Sequence, residues 1–169
     1  MSEKRITLLA EKLNLLPHPE GGFFKETFRS KETISKEALA NNYCGDRNLC
    51  TSIYFLLTSD NFSAFHRIKQ DEIWHFYEGS PLHVHVIDQV GKYTRYSVGL
   101  DIENGQVPQL TVPAGCWFGS SVALENSYSF VGCTVAPGFD FNDFELATYA
   151  ELIEVYPKHS DVIKSLTRI

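Results

Sequence analysis

The sequence predicts an all-β fold, either a sandwich or a small barrel, with short helices at both ends. Between Phe23 and Val135 the chain consists of short segments rich in Phe, Tyr, Val, Ile and Thr, separated by turn signals such as Gly, Pro and Asn. Many short strands at regular spacing are typical of sandwiches and small barrels. A parallel α/β sheet is disfavoured, because no long helical pattern separates these segments.

The individual strands follow from this pattern. They are predicted at 23–30, 51–58, 63–68, 72–78, 82–88, 92–99, 107–112, 116–118 and 127–135. The segment 31–50 is polar and irregular. It therefore predicts a flexible loop or lid.

Helical spacing occurs at both ends of the chain. An N-terminal helix is predicted from apolar residues that recur every three or four positions, with a proline ending the run: Ile6, Leu9, Leu13 and then Pro17. A C-terminal helix is predicted before Pro157, with one apolar face made of Leu146, Tyr149, Leu152 and Ile153. A last helix, capped by Ser160 or Asp161, is predicted to run through Val162, Leu166 and Ile169.

Composition limits the classes of partner. The 169 residues are 43% hydrophobic and include 12 Phe, 8 Tyr and 2 Trp, which excludes a disordered chain. We expect a single domain over 1–169, with its core at about 20–140. The net charge of −6, without a basic cluster, disfavours nucleic acid and anionic membranes as partners.

The chain carries no signal for export or for membrane insertion. Its first residues are too charged for a secretory segment, and the longest clear apolar run, 53–57, is far too short to span a bilayer. The four cysteines form no CxxC pair. We therefore expect a cytoplasmic protein with reduced thiols.

One stretch of the predicted β region carries chemically informative residues. His66, Glu72 and Gly79 follow one another in a way that resembles the first cupin motif, H-x-H-x3-E-x6-G. Pro113-Ala114-Gly115, followed by Cys116-Trp117-Phe118, resembles the start of the second cupin motif, P-x-G-x2-H. The residues at 16–27, 71–76, 112–117 and 132–141 resemble one small cupin family in particular, often labelled "predicted sugar epimerase".

This resemblance covers roughly residues 6–155 and carries several implications. It implies a cupin double-stranded β-helix, or jelly-roll, with short N- and C-terminal helices. It also implies a homodimer joined through its sheets and an interior pocket for a small-molecule ligand, possibly a carbohydrate. The family label implies an epimerase or isomerase acting on carbohydrates or sugar nucleotides.

The motifs depart from the full cupin metal site at two positions. Ile68 stands where the second histidine belongs, and Phe118 stands where the third belongs. Catalytic transition-metal sites generally use three protein ligands. We therefore expect no cofactor. If a divalent metal bound at all, His66 and Glu72 would be its ligands.

A metal-free role is predicted for the two retained polar residues. The motif places His66 and Glu72 in the interior, where His66 could act as a base and Glu72 as its partner in sugar epimerisation. The imidazole pKa lies near working pH, which suits such a base. Three tyrosines are candidates for the acid, and the sequence does not choose among them: Tyr54, Tyr77 and Tyr96.

Aromatic residues near the motifs are candidates for binding the substrate. Strand alternation puts Glu72, Trp74 and Phe76 on one face and His75 on the other, unless a bulge intervenes. The predicted substrate-binding residues are Tyr54, Trp74, His75, Phe76 and Trp117. Core filling is the alternative role for both tryptophans.

Several alternatives stay open from the sequence. The protein could be a non-enzymatic ligand-binding or sensor module, or a metal-dependent enzyme that recruits His75. His18 and Glu20 lie in a rigid Pro- and Gly-flanked turn. They either reach the mouth of the cavity or only cap the fold.

Overall fold

Two antiparallel β-sheets pack face to face, with helices against their outer faces. The structure is a computed structural model that describes residues 2–40 and 42–168. The strands are β1 (Leu16–Pro17), β2 (Phe23–Arg29), β3 (Thr33–Ile34), β4 (Arg47–Asn48), β5 (Thr51–Thr58), β6 (Phe62–Arg67), β7 (Asp71–Gly79), β8 (Leu82–Ile87), β9 (Tyr93–Val98), β10 (Gln109–Val112), β11 (Trp117–Val122), β12 (Tyr128–Ala136) and β13 (Glu145–Leu146). The α-helices are α1 (Ser2–Leu13), α2 (Tyr149–Val155) and α3 (Ser160–Ser165), and short 3-10 helices lie at Lys36–Ala38, Ile102–Asn104, Phe141–Asp143 and Pro157–His159.

The strand order interleaves distant parts of the chain, as in a jelly-roll. The six-stranded sheet has the order β1-β2-β5-β12-β7-β10, and the five-stranded sheet has the order β13-β6-β11-β8-β9. The facing surfaces of the two sheets enclose an apolar core that includes Phe55, Trp74, Val84, Phe118 and Val131. Burial of this apolar surface is the main force holding the sheets together.

Helices bury the outer faces of both sheets. Helix α1 places Leu9 against Leu56 and Phe130 of the six-stranded sheet. Helices α2 and α3 place Leu152 and Ile163 against the outer face of the five-stranded sheet. No helix within the described ranges 2–40 and 42–168 combines the length and the apolar character that crossing a membrane would need.

The predicted strands correspond to β2 and β5–β12, with shifts at their ends. The largest difference is at 116–118, where the observed strand β11 continues to Val122. The short strands β1, β3, β4 and β13 were not predicted. Strands of two residues are too short to display the alternation on which the prediction relied.

The segment 31–50, predicted as a flexible loop or lid, contains two short strands and a 3-10 helix within its described residues. Strands β3 and β4 pair within it, with Thr33 opposite Asn48 and Ile34 opposite Arg47. The side chains of Tyr43 and Arg47 are buried. These two side chains attach the segment to the body of the protein, while most of its other described residues are exposed.

The helix ends also differ from the prediction. Helix α1 ends at Leu13, before Pro17, and Asn14 follows in the left-handed conformation with φ 52°. Leu146 belongs to β13 rather than to a helix, and α2 begins after Thr148, which forms a capping box with Glu151. His159 is the N-cap of α3, although its side chain bonds the carbonyl oxygen of Gly91 and does not cap the helix, and Ile169 lies outside the described residues.

Candidate functional site

A cavity of about 280 Å³ opens into the space between the two sheets. Its mouth is marked by the exposed residues Glu26, Arg29 and Phe141. The other lining residues come from β2, β5, β6, β7 and β12, from the turn before β2 and from the segments after β6 and β12: His18, Glu20, Phe24, Thr51, Ile53, Phe55, His66, Ile68, Glu72, Cys133, Val135, Phe139, Asp140 and Phe144.

Both ring nitrogens of His66 lie close to protein oxygens, and one of the two contacts is a hydrogen bond. Its Nδ1 lies 2.7 Å from the carbonyl oxygen of Ala64, so Nδ1 carries a proton and donates it. Its Nε2 lies 3.1 Å from Oε2 of Glu20. The Oε1 of Glu20 accepts a hydrogen bond of 2.8 Å from the hydroxyl of Ser63. Glu20 is thus a second carboxyl beside the histidine. The predicted partner, Glu72, also acts on it, because its charge raises the pKa of His66 against the larger lowering effect of burial.

Burial favours the neutral forms of this pair. It raises the pKa of the Glu20 carboxyl and lowers the pKa of His66. A neutral pair is satisfied when the protonated Glu20 donates to Nε2 of His66. The pair is therefore a candidate acid next to the cavity.

Of the four carboxyl groups that line the cavity, Glu72 has the fewest hydrogen-bonding partners. It projects from β7 and is 8% exposed, and burial raises its pKa to about 7, against a smaller opposing effect of His66. Within 2–40 and 42–168 its one hydrogen-bonding partner is the thiol of Cys133, a weak donor. Most of the hydrogen-bonding capacity of Glu72 is therefore free for a ligand.

A tight turn brings His18 and Glu20 to this position. Gly21 has φ 120°, and a Cβ there would overlap the carbonyl oxygen of Phe62. The Nδ1 of His18 accepts a long hydrogen bond of 3.4 Å from the amide of Glu20. The proton of the neutral ring is then on Nε2, and burial lowers the pKa of His18. We call His18, Glu20, His66 and Glu72 the acid–histidine cluster.

Three phenylalanines after β12 form an aromatic rim at the cavity. The ring centroids of Phe139 and Phe141 are 5.0 Å apart, and those of Phe141 and Phe144 are 6.0 Å apart. Phe141 also stacks on His18 at 6.0 Å. The aromatic rim, Phe139, Phe141 and Phe144, thus connects the mouth with the acid–histidine cluster.

A buried ion pair holds the rim in place. The guanidinium of Arg47 donates hydrogen bonds of 2.7 and 2.6 Å to the two carboxylate oxygens of Asp143. The side chain of Gln70 adds a third bond at 2.7 Å. Burial alone would raise the pKa of Asp143, but these hydrogen bonds outweigh it and lower the pKa. Because Asp143 lies between Phe141 and Phe144, the pair anchors the rim to the segment 31–50.

Of the predicted site residues, His66 and Glu72 both line the cavity. Trp74 is 1% exposed and packs in the inter-sheet core, with its ring 5.9 Å from that of Phe55. Phe76 packs against the same core. Strand alternation placed these two side chains on the correct face of β7, but neither is among the residues that line the cavity.

The other predicted substrate-binding residues lie on outer faces, which corrects their predicted location. Tyr54 packs against Phe130 beneath α1. The Nε2 of His75 lies 3.1 Å from the hydroxyl of Thr134 on the outer face of the same sheet. Trp117 packs in the outer cluster beneath α2 and α3. Tyr77 and Tyr96, the other candidates for the acid, are 47% and 40% exposed.

Several residues of the cavity were not identified from the sequence as site residues. The acid–histidine cluster includes Glu20 and His18, for which capping the fold stayed an alternative role. The rim, Arg29 and Cys133 carried no distinctive pattern. The rigid Pro17–Gly22 turn, with an acid two residues after a histidine, is the signal that could have identified Glu20.

The residues present do not fit the metal site of a full cupin. Ile68 lines the cavity, and the Phe118 ring lies 4.1 Å from the His66 ring, so apolar groups fill the two missing ligand positions. Among residues 2–40 and 42–168, no three His, Cys, Asp or Glu side chains are arranged to hold a metal ion. We therefore derive no chemical step through a metal.

The fold and the motifs can now be compared with known proteins. Residues 7–147 match the family model described as Cupin superfamily (DUF985). The chain belongs to this family. Saccharomyces cerevisiae "Uncharacterized protein YML079W" is 36% identical over 138 residues, which cover 76% of this chain and 68% of the yeast protein.

Two solved structures share nearly the whole chain of this cupin. A hypothetical protein from Leishmania major is 40% identical with a TM-score of 0.88, and the match covers 96% of this chain and 98% of that one. Protein SO0799 from Shewanella oneidensis is 39% identical with a TM-score of 0.86 and 95% coverage of both chains.

More distant structures share only the fold. Oxalate decarboxylase from Bacillus subtilis, in its structure at pH 4.6, is 15% identical with a TM-score of 0.52, over 89% of this chain and 36% of that one. This similarity agrees with the double-stranded β-helix formed by the two sheets. It carries no information about the reaction.

Proposed function

We propose that this cupin is a metal-independent isomerase or epimerase that moves a proton on a small carbohydrate bound in the cavity. The observation that carries the proposal is the carboxyl of Glu72, which has one weak protein donor among the described residues, beside the Glu20–His66 pair in a cavity lined by both apolar and acidic side chains. Proton transfer next to a carbonyl needs a base and an acid with pKa values near working pH.

The contacts favour Glu72 as the base. Both nitrogens of His66 already have protein partners, whereas Glu72 has one weak donor among the described residues. The Glu72 carboxylate takes a proton from the carbon next to the substrate carbonyl, and the electron pair moves onto the carbonyl oxygen. Glu20, in its protonated form, is the proposed acid for that oxygen, and it leaves Nε2 of His66 when it donates there. In isomerisation, Glu72 returns the proton to the former carbonyl carbon, and the neighbouring hydroxyl gives its own proton to Glu20 as the new carbonyl forms. In epimerisation, an acid on the opposite face protonates the original carbon, the oxygen returns its proton to Glu20, and Glu72 releases its proton to water.

The cavity volume limits what can be enclosed. About 280 Å³ is at the lower end of small-molecule sites, which typically span about 300–1,000 Å³. A single sugar ring is of this size. A complete sugar nucleotide would have to leave its nucleotide outside the mouth.

A non-enzymatic ligand-binding protein is the second candidate. It is favoured by the internal bonding of His66, which is typical of a histidine that holds structure rather than one that exchanges protons. In this case Glu72 would only donate to or accept from a bound guest.

Hydrogen exchange separates the two candidates. The protein is incubated with keto-sugars and sugar nucleotides in deuterated water, and the carbon-bound deuterium is measured by NMR. We expect exchange that is lost in Glu72→Gln and retained in Glu78→Gln, a matched change on the same strand outside the cavity lining. Binding without exchange would support the ligand-binding protein and contradict the enzyme.

A further inference from the structure

More acidic than basic side chains line the cavity. Four acidic side chains line it, and Arg29 is the one lining side chain that is permanently cationic. The two histidines are buried, and burial lowers the pKa of each. The acidic residues are Glu20, Glu26, Glu72 and Asp140.

Arg29 is already committed to protein acceptors. Its Nε and Nη2 bond both carboxylate oxygens of Glu26, at 3.0 and 2.7 Å. Its Nη1 bonds Oδ1 of Asn48 at 2.8 Å, and both terminal nitrogens lie 3.1 Å from the carbonyl oxygen of Phe139. A phosphate or carboxylate entering the cavity would thus find an arginine whose charge is balanced, and carboxyl groups further in. Burying an unpaired anion there is costly.

A positively charged ligand group would be accommodated better than an anion in this cavity. Glu72 is more than nine-tenths buried, and its single protein partner among the described residues is a weak thiol donor. The aromatic rim adds ring faces near the mouth, and aromatic faces attract organic cations. A carboxylate at the inner end and aromatic rings at the outer end together resemble sites that hold ammonium groups.

We propose that the cavity selects a small organic ammonium compound, such as an unphosphorylated amino sugar, with its ammonium group against Glu72 and its ring against the aromatic rim. This inference names the substrate class of the proposed function and rests on it only in taking the same cavity as the binding site. It disfavours phosphorylated sugars as substrates.

Three probes of similar size test the charge preference directly. Cyclohexylamine, cyclohexanol and cyclohexanecarboxylate place a cation, a neutral hydroxyl and an anion on the same six-membered ring. Their dissociation constants are measured by calorimetry or ligand-observed NMR at one pH and one ionic strength. We expect the amine to bind about tenfold more tightly than the alcohol, because hydrogen bonds to charged groups are the stronger ones. The carboxylate is expected to bind most weakly. Equal binding of amine and alcohol, or tighter binding of the carboxylate, would overturn the proposal.

Matched variants assign the preference to one carboxyl. In Glu72→Gln the amine should lose its advantage over the alcohol, while the affinity for the alcohol changes little. Glu78→Gln should retain the tenfold preference. Retention of the preference in Glu72→Gln contradicts the proposed contact, and the unchanged alcohol affinity shows that the variant is folded with its cavity intact.

The binding test and the exchange test can give opposite outcomes, so each proposal can be rejected without the other. An amine preference without deuterium exchange on any amino ketose would leave the ligand class standing and remove the enzymatic function. Exchange on neutral ketoses without an amine preference would leave the enzyme standing and remove the ligand class.

Discussion

Replacing Glu72 by glutamine should change the pH dependence of stability in a defined direction. Burial raises the pKa of Glu72 to about 7 in the folded protein, from an ordinary value of 4.5. Below about pH 4.5 the carboxyl is protonated in both states, so it does not affect the pH dependence. Between these values the unfolded chain releases the proton and the folded protein keeps it, so the free energy of unfolding falls as pH rises.

The size of the effect follows from the shift. One pKa unit corresponds to about 1.4 kcal/mol, so the loss accumulates to roughly 3 kcal/mol and is complete above about pH 7. Glutamine preserves the shape of the side chain and cannot ionise. The difference in stability between Glu72→Gln and the wild type should therefore grow by roughly 3 kcal/mol from about pH 4.5 to pH 8.

Urea denaturation at a series of pH values measures this difference. Taking the difference at each pH reduces the contributions of other titrating groups, including His18 and His66, whose buried neutral forms act in the opposite sense. Glu78→Gln is the control, because the hydrogen bonds and charge of Arg5 hold the pKa of Glu78 below its usual value. Relative to the wild type, Glu78→Gln should be less stable above about pH 4.5. A difference for Glu72→Gln that is flat, or that shrinks as pH rises, would refute the assignment of a desolvated carboxyl.

Three further variants test the architecture of the site. Gly21→Ala should destabilise the protein by more than about 2 kcal/mol in urea denaturation, because the added Cβ would overlap backbone atoms. Gly105→Ala is the control: its φ is also positive, at 80°, but the space around it is open, so the change should cost about 1 kcal/mol. Arg47→Met should cost about 3–5 kcal/mol, since it leaves the buried Asp143 without its main partner, and a cost below 1 kcal/mol would contradict a buried pair. Phe141→Ala should change stability by less than about 1 kcal/mol because the ring is 54% exposed, yet it should weaken cyclohexylamine binding several-fold in calorimetry. An unchanged affinity would remove Phe141 from the binding surface.

Local patterns were sufficient to predict most of the fold. Each long strand alternates or is closed by a turn signal, so its position can be identified from neighbouring residues alone. The aromatic side chains were harder to place. Trp117 and Phe118 are adjacent and both buried, because helices cover the outer face of a sheet whose inner face is also apolar. Alternation then cannot show which of the two residues faces the cavity.

The site was predictable only where a motif named the residue. His66 and Glu72 followed from the cupin spacing. The bond between His66 and Glu20 joins β6 to a turn far away in the sequence, and it depends on the left-handed conformation at Gly21. The ion pair of Arg47 and Asp143 spans an even longer separation. Such contacts depend on tertiary geometry, which the local periodicity of the sequence does not reveal.

The ion pair of Arg47 and Asp143 makes the entrance of the cavity depend on the segment 31–50. The acid–histidine cluster is carried by strands and a constrained turn. The aromatic rim is joined to the segment 31–50 through the Arg47–Asp143 pair, and Phe139 of the rim also bonds Arg29 and Thr51. Insertions or replacements in that segment should therefore act first on the entrance, and they reach the acid–histidine cluster only through the contacts of Phe141 with His18 and of Phe144 with His66. Divergence of ligand choice among relatives is expected to concentrate there, while the groups below stay the same.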